Sequence, residues 1–242
     1  MTVLVVTGTG TGVGKTVVMS AIAALAGATG CRVAVVKVAQ TGVALGQPGD
    51  VDEVRRLVGP AVTCRELARY PDPLAPATAA RRAGLPAVTP ATATAAAHEL
   101  AADHDVVLIE GTGGLLVRLD DSGATLADVA AALGAPLLVV AAAGLGTLNH
   151  TALTVEALRR RNLDCAGIVI GAWPAEPDLA AHCNASDLPA VTGLPLLGAV
   201  EDGAGRLTPE EFLPVARRGL ESGVHPLGLW SLRTGVTGVG SP

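Results

Sequence analysis

Residues Thr7–Thr16 read TGTGTGVGKT, and they follow directly on the apolar, β-branched run TVLVVT of Thr2–Thr7. The run is short and continuous, which predicts a strand buried on both faces. The segment KTVVMSAIAALAGATG that follows predicts a helix closed by Gly30. Between them, Gly8, Gly10, Gly12 and Gly14 allow backbone N–H groups to curl around phosphate oxygens at the positive end of the helix. Lys15 is placed to reach β- and γ-phosphates, and Thr16 to offer its hydroxyl to Mg²⁺. The general pattern G-x-x-x-x-G-K-[ST] is missed by one position: Thr9 stands where glycine is expected, and Gly8 comes one residue early. A plain glycine-rich strand-to-helix turn is the alternative. The GKT at the helix start, after an apolar strand and with acids downstream, argues against it.

Working outward, strands and helices alternate. Strands are predicted at Arg32–Val38, Asp105–Glu110, Pro136–Ala143, Cys165–Gly171 and Pro195–Val200. Helices are predicted at Asp50–Gly59, Pro90–Asp103, Asn149–Asn162 and Thr208–Glu221, the last opening with a Thr208/Glu211 capping box. Such alternation implies an α/β, three-layer P-loop NTPase fold: a mostly parallel central sheet with helices on both faces. The 242 residues suffice for a single domain, expected over 1–224, with 225–242 a Gly-rich, poorly ordered tail. The proline-rich residues 71–90 carry apolar side chains throughout and predict an ordered excursion over the sheet edge.

Composition narrows the function. Half the residues are hydrophobic but only 2% are aromatic, so the core is built from Ala, Val and Leu. A net charge of -5 gives no basic face for nucleic acid. Arg159–Arg161 are expected in the last turn of a helix, where positive charge is favoured. Cys31, Cys64, Cys165 and Cys183 are scattered without a CxxC pair, which suits buried thiols rather than disulfides or zinc. The start MTVLVVTG is too short for a signal segment, and no apolar run reaches membrane-spanning length without Gly, Pro or charge. The expectation is a soluble cytoplasmic protein with no membrane or nucleic-acid partner.

In parallel α/β sheets, ligands bind beyond the carboxyl ends of the strands. Glu110 ends a buried strand just before GTGG and is a candidate Mg²⁺ ligand. Asp50 opens a helix and is either a second ligand or a simple N-cap, and Asp52 could take the ligand role instead. Lys37 ends the second strand and would bring a second ammonium to the polyphosphate. Thr11 and Thr41 place hydroxyls on the same rim, either for a second substrate or as turn residues. His150, at a helix start, reads as a capping or packing residue rather than a base.

TGTGTGVGKT, KVAQTG, EGTGGLLV and LGTLNHTALT, in that order and spacing, resemble dethiobiotin synthetases from residue 2 to about residue 200. The resemblance implies a homodimeric, Mg²⁺-dependent enzyme that carboxylates 7,8-diaminononanoate with CO₂ (or bicarbonate) and ATP to dethiobiotin, ADP and phosphate. It implies catalytic roles for Lys15 and Lys37, and Mg²⁺ ligation by Thr16, Asp50 and Glu110. Nucleotide contacts are implied at Gly10, Thr11, Gly12, Val13, Gly14, Lys15 and Thr16, and at Gly171, Ala172 and Trp173. Thr11, Lys37, Thr41 and the run Gly144, Leu145, Gly146, Thr147, Leu148 and Asn149 are implied substrate contacts, the run holding a distal carboxylate across the dimer interface. The chain departs from the family pattern at Val38 (usually proline), Thr112 (usually alanine) and Gly12 (glutamate in some members). Gly171 stands where some members have an adenine-reading asparagine, so another nucleoside triphosphate could serve in place of ATP.

Two other readings compete. A cobyrinic-acid-type synthase would need a glutaminase domain, for which there is little room and no cysteine in a nucleophile context. A partition or septum-site switch would carry a lysine at position 10, where this chain has Gly10, and a C-terminal membrane helix.

Overall fold

The structure, a computed structural model, describes residues 2–225 and Gly228. The chain runs β1 (Thr2–Gly8), α1 (Lys15–Ala28), β2 (Val33–Lys37), β3 (Gln40–Thr41), α2 (Asp50–Val58), β4 (Thr63–Glu66), β5 (Arg69–Tyr70) and α3 (Pro76–Ala83). It continues through α4 (Pro90–Asp103), β6 (Val106–Gly114), α5 (Leu126–Leu133), β7 (Leu137–Ala141), α6 (Thr147–Arg159), β8 (Cys165–Trp173), α7 (Leu179–Thr192) and β9 (Leu196–Glu201). A 3₁₀ turn (Ala204–Arg206), α8 (Pro209–Ala216), a π-helical segment (Arg217–Glu221) and α9 (Ser222–Val224) complete it. Seven strands form the main sheet in the order β4-β2-β6-β1-β7-β8-β9. Every neighbouring pair is parallel. β3 and β5 form a separate parallel pair.

The period of two along each strand splits the core into two halves. Leu4 and Val6 of β1, with Leu108 of β6, face α1, α2 and α8, where Val54, Leu57 and Phe212 pack. Val5 of β1, with Val107 and Ile109 of β6, face α4, α5 and α7. This is the expected three-layer arrangement, and β2 and β7 are buried along their whole length. Helix starts follow local chemistry: Pro90 is the first residue of α4 behind the Thr89 cap, and Thr208 and Glu211 exchange capping bonds. Arg159 ends α6 as expected of the basic run. All four cysteines are free, but they are not the buried thiols expected: Cys31, Cys64 and Cys165 are half-buried and Cys183 is exposed. Burial pushes the Cys165 thiol up to about 11, so it carries little thiolate.

Several elements depart from the sequence reading. Residues 71–90 contain a helix, α3, opened by Pro76 and closed by left-handed Gly84. α5, α7 and the short strands β3, β4 and β5 lie where the sequence predicts no element. β6 continues four residues beyond Glu110, and its pairing with β1 slips between Val6 and Gly8. The predicted helix over Thr208–Glu221 divides into α8 and the π-helical segment. There a Cβ on Gly219 would lie 2.2 Å from the Ala199 carbonyl oxygen, so backbone meets backbone on the edge strand β9. Of the expected tail 225–242, all but His225 and Gly228 lies outside the described residues. Among the described residues no helix is long and apolar enough to cross a membrane.

Phe212, the single phenylalanine, is fully buried where α8 meets the α1 side of the core. Phe212→Ala is expected to lower the unfolding free energy by about 3–5 kcal/mol, read from urea unfolding.

Candidate functional site

The Gly8–Thr16 turn is shaped by what its glycines permit. Gly12 and Gly14 adopt positive φ values of 75° and 90°, which side chains resist. A Cβ on Gly14 would lie 2.4 Å from the Gly171 carbonyl oxygen, and one on Gly171 would lie 1.9 Å from the Val13 carbonyl oxygen. The loop therefore rests directly on the end of β8, backbone on backbone. α1 begins with no side-chain cap and no acidic residue in its first turn. Its free N–H groups and positive dipole end are left for an anion.

Lys15 is buried and its Nζ donates to the Gly10 carbonyl at 2.8 Å. Burial lowers its pKa; Glu110 opposes that shift and Lys37 reinforces it.

Beside the loop lies a buried charge cluster. The β2–β6 register sets Lys37 directly against Glu110. Lys37 Nζ meets Asp50 Oδ2 at 2.5 Å and Glu110 Oε1 at 2.8 Å, and also donates to the Gly111 carbonyl at 3.2 Å. Burial presses the Lys37 pKa down, but Glu110 and Asp50 outweigh it and hold it above the ordinary lysine value. The group is therefore an ammonium at neutral pH. Thr16 Oγ1 donates to the same Glu110 Oε1 at 3.0 Å. The other oxygen, Glu110 Oε2, is buried with no hydrogen-bond partner among the described residues.

That orphaned oxygen is an observation in favour of a bound cation. Two carboxylates and a threonine hydroxyl suit Mg²⁺, which takes few protein ligands and keeps water and phosphate oxygens. Among the described residues no group of three or more His, Cys, Asp or Glu could form an all-protein metal cage. The cluster and the loop share one cleft of about 410 Å³, which Thr11, Thr41 and Gln40 also line.

The sequence candidates are thus largely brought together. Lys15, Thr16, Lys37, Thr41, Asp50, Glu110, Thr11, Gly12 and Gly14 all line the cleft, with Gly10 and Val13 in the same loop. Between the two acids of α2 the geometry discriminates. Asp50 reaches Lys37, whereas Asp52 accepts from the Gly49 N–H at 2.8 Å and faces Arg55 and Arg69.

Gly171 sits under the loop, where a Cβ would lie 1.9 Å from the Val13 carbonyl oxygen. It supports the loop by lacking a side chain, and an asparagine there would collide with Val13. Ala172 and Trp173 end β8, and the Trp173 ring packs towards α7, edge-on to His182 at 6.0 Å. It lines a separate cavity, not the cleft.

Gly144–Asn149 also lies outside the cleft, at the start of α6. Gly146 precedes that helix at φ 92° with no side-chain cap, and Leu145 is 94% exposed. The buried Asn184 of α7, which no sequence signal singled out, donates to the Ala143 and Gly144 carbonyls at 2.8 and 2.9 Å. A second groove of about 470 Å³ runs between β6's exit and α6, lined by Thr9, Leu115, Leu116, Leu153 and Ala157. Thr11 lines both this groove and the cleft.

A protein-family model described as an AAA domain matches residues 2–205. The chain is 64% identical over 231 residues to the ATP-dependent dethiobiotin synthetase BioD of Saccharopolyspora erythraea, spanning 96% of this chain and 100% of the relative. It is 63% identical over 212 residues to that of Streptomyces avermitilis, spanning 88% and 89%. Among solved structures it resembles a ParA family ATPase from Chlorobium tepidum, with TM-score 0.56 and 15% identity over 96% of this chain and 93% of that one. It also resembles the septum site-determining protein MinD complexed with Mg-ADP from Pyrococcus horikoshii, with TM-score 0.56 and 18% identity over 90% and 88%. At such identity these two likenesses establish the fold alone.

Removing one partner of a buried pair strands the other's charge. Lys37→Met is expected to destabilise the metal-free protein by about 3–5 kcal/mol in urea unfolding. Adding Glu110→Gln should recover part of that loss, because the stranded carboxylate is gone. A double variant weaker than the single one would contradict the pairing.

Proposed function

The chain belongs to the ATP-dependent dethiobiotin synthetase family, and on that premise we propose that its loop cleft carboxylates and closes 7,8-diaminononanoate with CO₂ and ATP. Its membership makes it an ATP-dependent ligase. The observation that carries the residue roles is the convergence of Lys15, Lys37, Thr16, Asp50 and Glu110 on one phosphate loop.

The reaction needs no protein nucleophile, because the diamine brings its own. One amine adds to CO₂ and loses a proton, giving a carbamate. A carbamate oxygen attacks the γ-phosphorus and the bond to ADP breaks, giving a carbamic–phosphoric anhydride. The second amine attacks the carbonyl carbon, loses its proton and expels phosphate, closing the ureido ring. The second step brings two anions together, so charge neutralisation is the main demand on the protein.

Lys15 and the uncapped start of α1 bind the phosphates. Lys37, held charged and aimed by Glu110 and Asp50, faces the carbamate and the γ-phosphate. Thr16, Asp50 and Glu110 would hold Mg²⁺, which supplies further neutralisation of the polyphosphate. Thr11 joins the cleft to the apolar groove of Leu115, Leu116 and Leu153, which suits the alkyl chain of the diamine. Thr41 lies on the cleft rim and positions the amine end.

Leu116 and Leu153 are 45% and 57% exposed beside that groove. A second copy of the chain covers them, and the free N–H groups at the start of α6 in the Gly144–Asn149 segment bind the distal carboxylate of the neighbour's substrate. Gly171 has no side chain with which to read the base, so the assay below compares ATP with the other nucleoside triphosphates. The protein works in the cytoplasm.

The direct test is a product assay with diamine, bicarbonate and each of the four nucleoside triphosphates. Absence of dethiobiotin with all four would overturn the reading. Lys37→Ala should lower turnover by about 10²–10³-fold with nucleotide affinity nearly unchanged; normal turnover would remove Lys37 from the chemistry. Glu110→Ala should sharply raise the Mg²⁺ concentration needed for half-maximal turnover, and an unshifted titration would count against its ligand role.

A further inference from the structure

α2 delivers Asp50 to the cleft, yet its own side chains cap only the Gly49 N–H, through Asp52. Gly49, at its N-cap position, has no side chain to accept a hydrogen bond. A helix start leaves its first N–H groups without intrahelical partners. Here the Asp50 N–H donates to Oε1 of Gln40 at 2.8 Å, ten residues earlier in the chain. Gln40 is 6% exposed, and its Nε2 donates to the Thr41 carbonyl at 3.3 Å, which fixes which end of the amide faces Asp50.

The Gln40 backbone is anchored as well. Its N–H donates to the Ala68 carbonyl at 2.8 Å, and the preceding Ala39 carbonyl accepts from Thr112 Oγ1. A Cβ on Gly49 would lie 2.9 Å from Gln40 Oε1 and 2.7 Å from the Arg69 guanidinium, so glycine is what lets the amide reach the helix start. We propose that Gln40 is a positioning residue. Its buried amide caps α2 from outside and so fixes the place at which the Asp50 carboxylate meets Lys37 and, with nucleotide, Mg²⁺. Asp52, capping Gly49 on the other side of the same turn, is thereby kept out of the cleft.

This rests on the reading of Asp50 as a metal carboxylate, so the test uses ADP and Mg²⁺ without diamine. Wild type, Gln40→Met, Asp50→Asn and the double variant are titrated with ADP by calorimetry, with and without Mg²⁺. Gln40→Met keeps the volume and removes the acceptor. It should raise the Mg²⁺ concentration for half-maximal enhancement of ADP binding by roughly three- to tenfold, the effect of losing one buried hydrogen bond. Metal-free ADP affinity should stay put, and in the Asp50→Asn background the Gln40 effect should vanish. An equal shift in both backgrounds, or none in either, overturns the proposal.

Hydrogen exchange of the metal-free protein gives an independent readout. The Asp50 amide should lose protection in Gln40→Met and keep it in Gln40→Glu, which retains the acceptor oxygen, while residues 54–58 stay protected in both. Unchanged protection in Gln40→Met would equally overturn it. If the wild type makes no dethiobiotin, the functional reading fails, but these measurements still decide the part played by Gln40.

Discussion

A buried ammonium held between two carboxylates governs the cleft edge of the sheet. Lys37 and Glu110 are 3% and 1% exposed, so both are charges removed from water. Desolvation costs several kcal/mol per ion, and Coulomb attraction at close contact returns a similar amount at an effective dielectric near 20. The pair is therefore a weak source of net stability. What it provides is placement, because each charge is tolerable only where the other stands. Asp50 adds the second carboxylate that keeps Lys37 protonated despite burial.

The fold makes that placement cheap to maintain. β2 ends at Lys37, which the parallel register sets against Glu110 within the longer β6, so the two side chains fall opposite each other without any loop having to aim them. β1 lies on the other side of β6 and delivers the phosphate loop to the same edge. The loop is seated on β8 through Gly14 and Gly171, where a single methyl on either residue would collide with backbone. Its backbone N–H groups are thus set by sheet geometry rather than by side chains, which favours preorganised binding of an anion.

The sequence carries the parts of this that are local. A strand, a glycine turn and a helix start reveal Lys15 and Thr16. A charge at the end of an apolar strand marks Lys37 and Glu110, since such residues face the ligand edge of a parallel sheet. What depends on distant partners is not legible. Asp50 and Asp52 are two residues apart on one helix, about 200° around its axis, and which of them faces the cleft is set by Gln40 and Arg69. α7 carries Pro189 inside it and shows no apolar stripe, although its Asp178 cap was a readable signal. α5 likewise offered its Thr125 and Asp128 box and the closing Gly134. The π-helical segment after α8 contains Gly219, which touches β9 backbone to backbone, a contact no local pattern encodes.

The two departures just beyond Lys37 and Glu110 acquire a physical sense in three dimensions. Val38 is fully buried, and its N–H donates to the Glu110 carbonyl at 3.1 Å. A proline at that position has no N–H to give. Thr112 Oγ1 donates to the Ala39 carbonyl, a bond that alanine could not make. Both additions join the same two chain segments just beyond the Lys37–Glu110 pair. They continue the contact between the two segments past Lys37, the last residue of β2. In this chain the spacing of ammonium and carboxylate is thus held by hydrogen bonds on the ligand side of the pair as well as by the strands behind it.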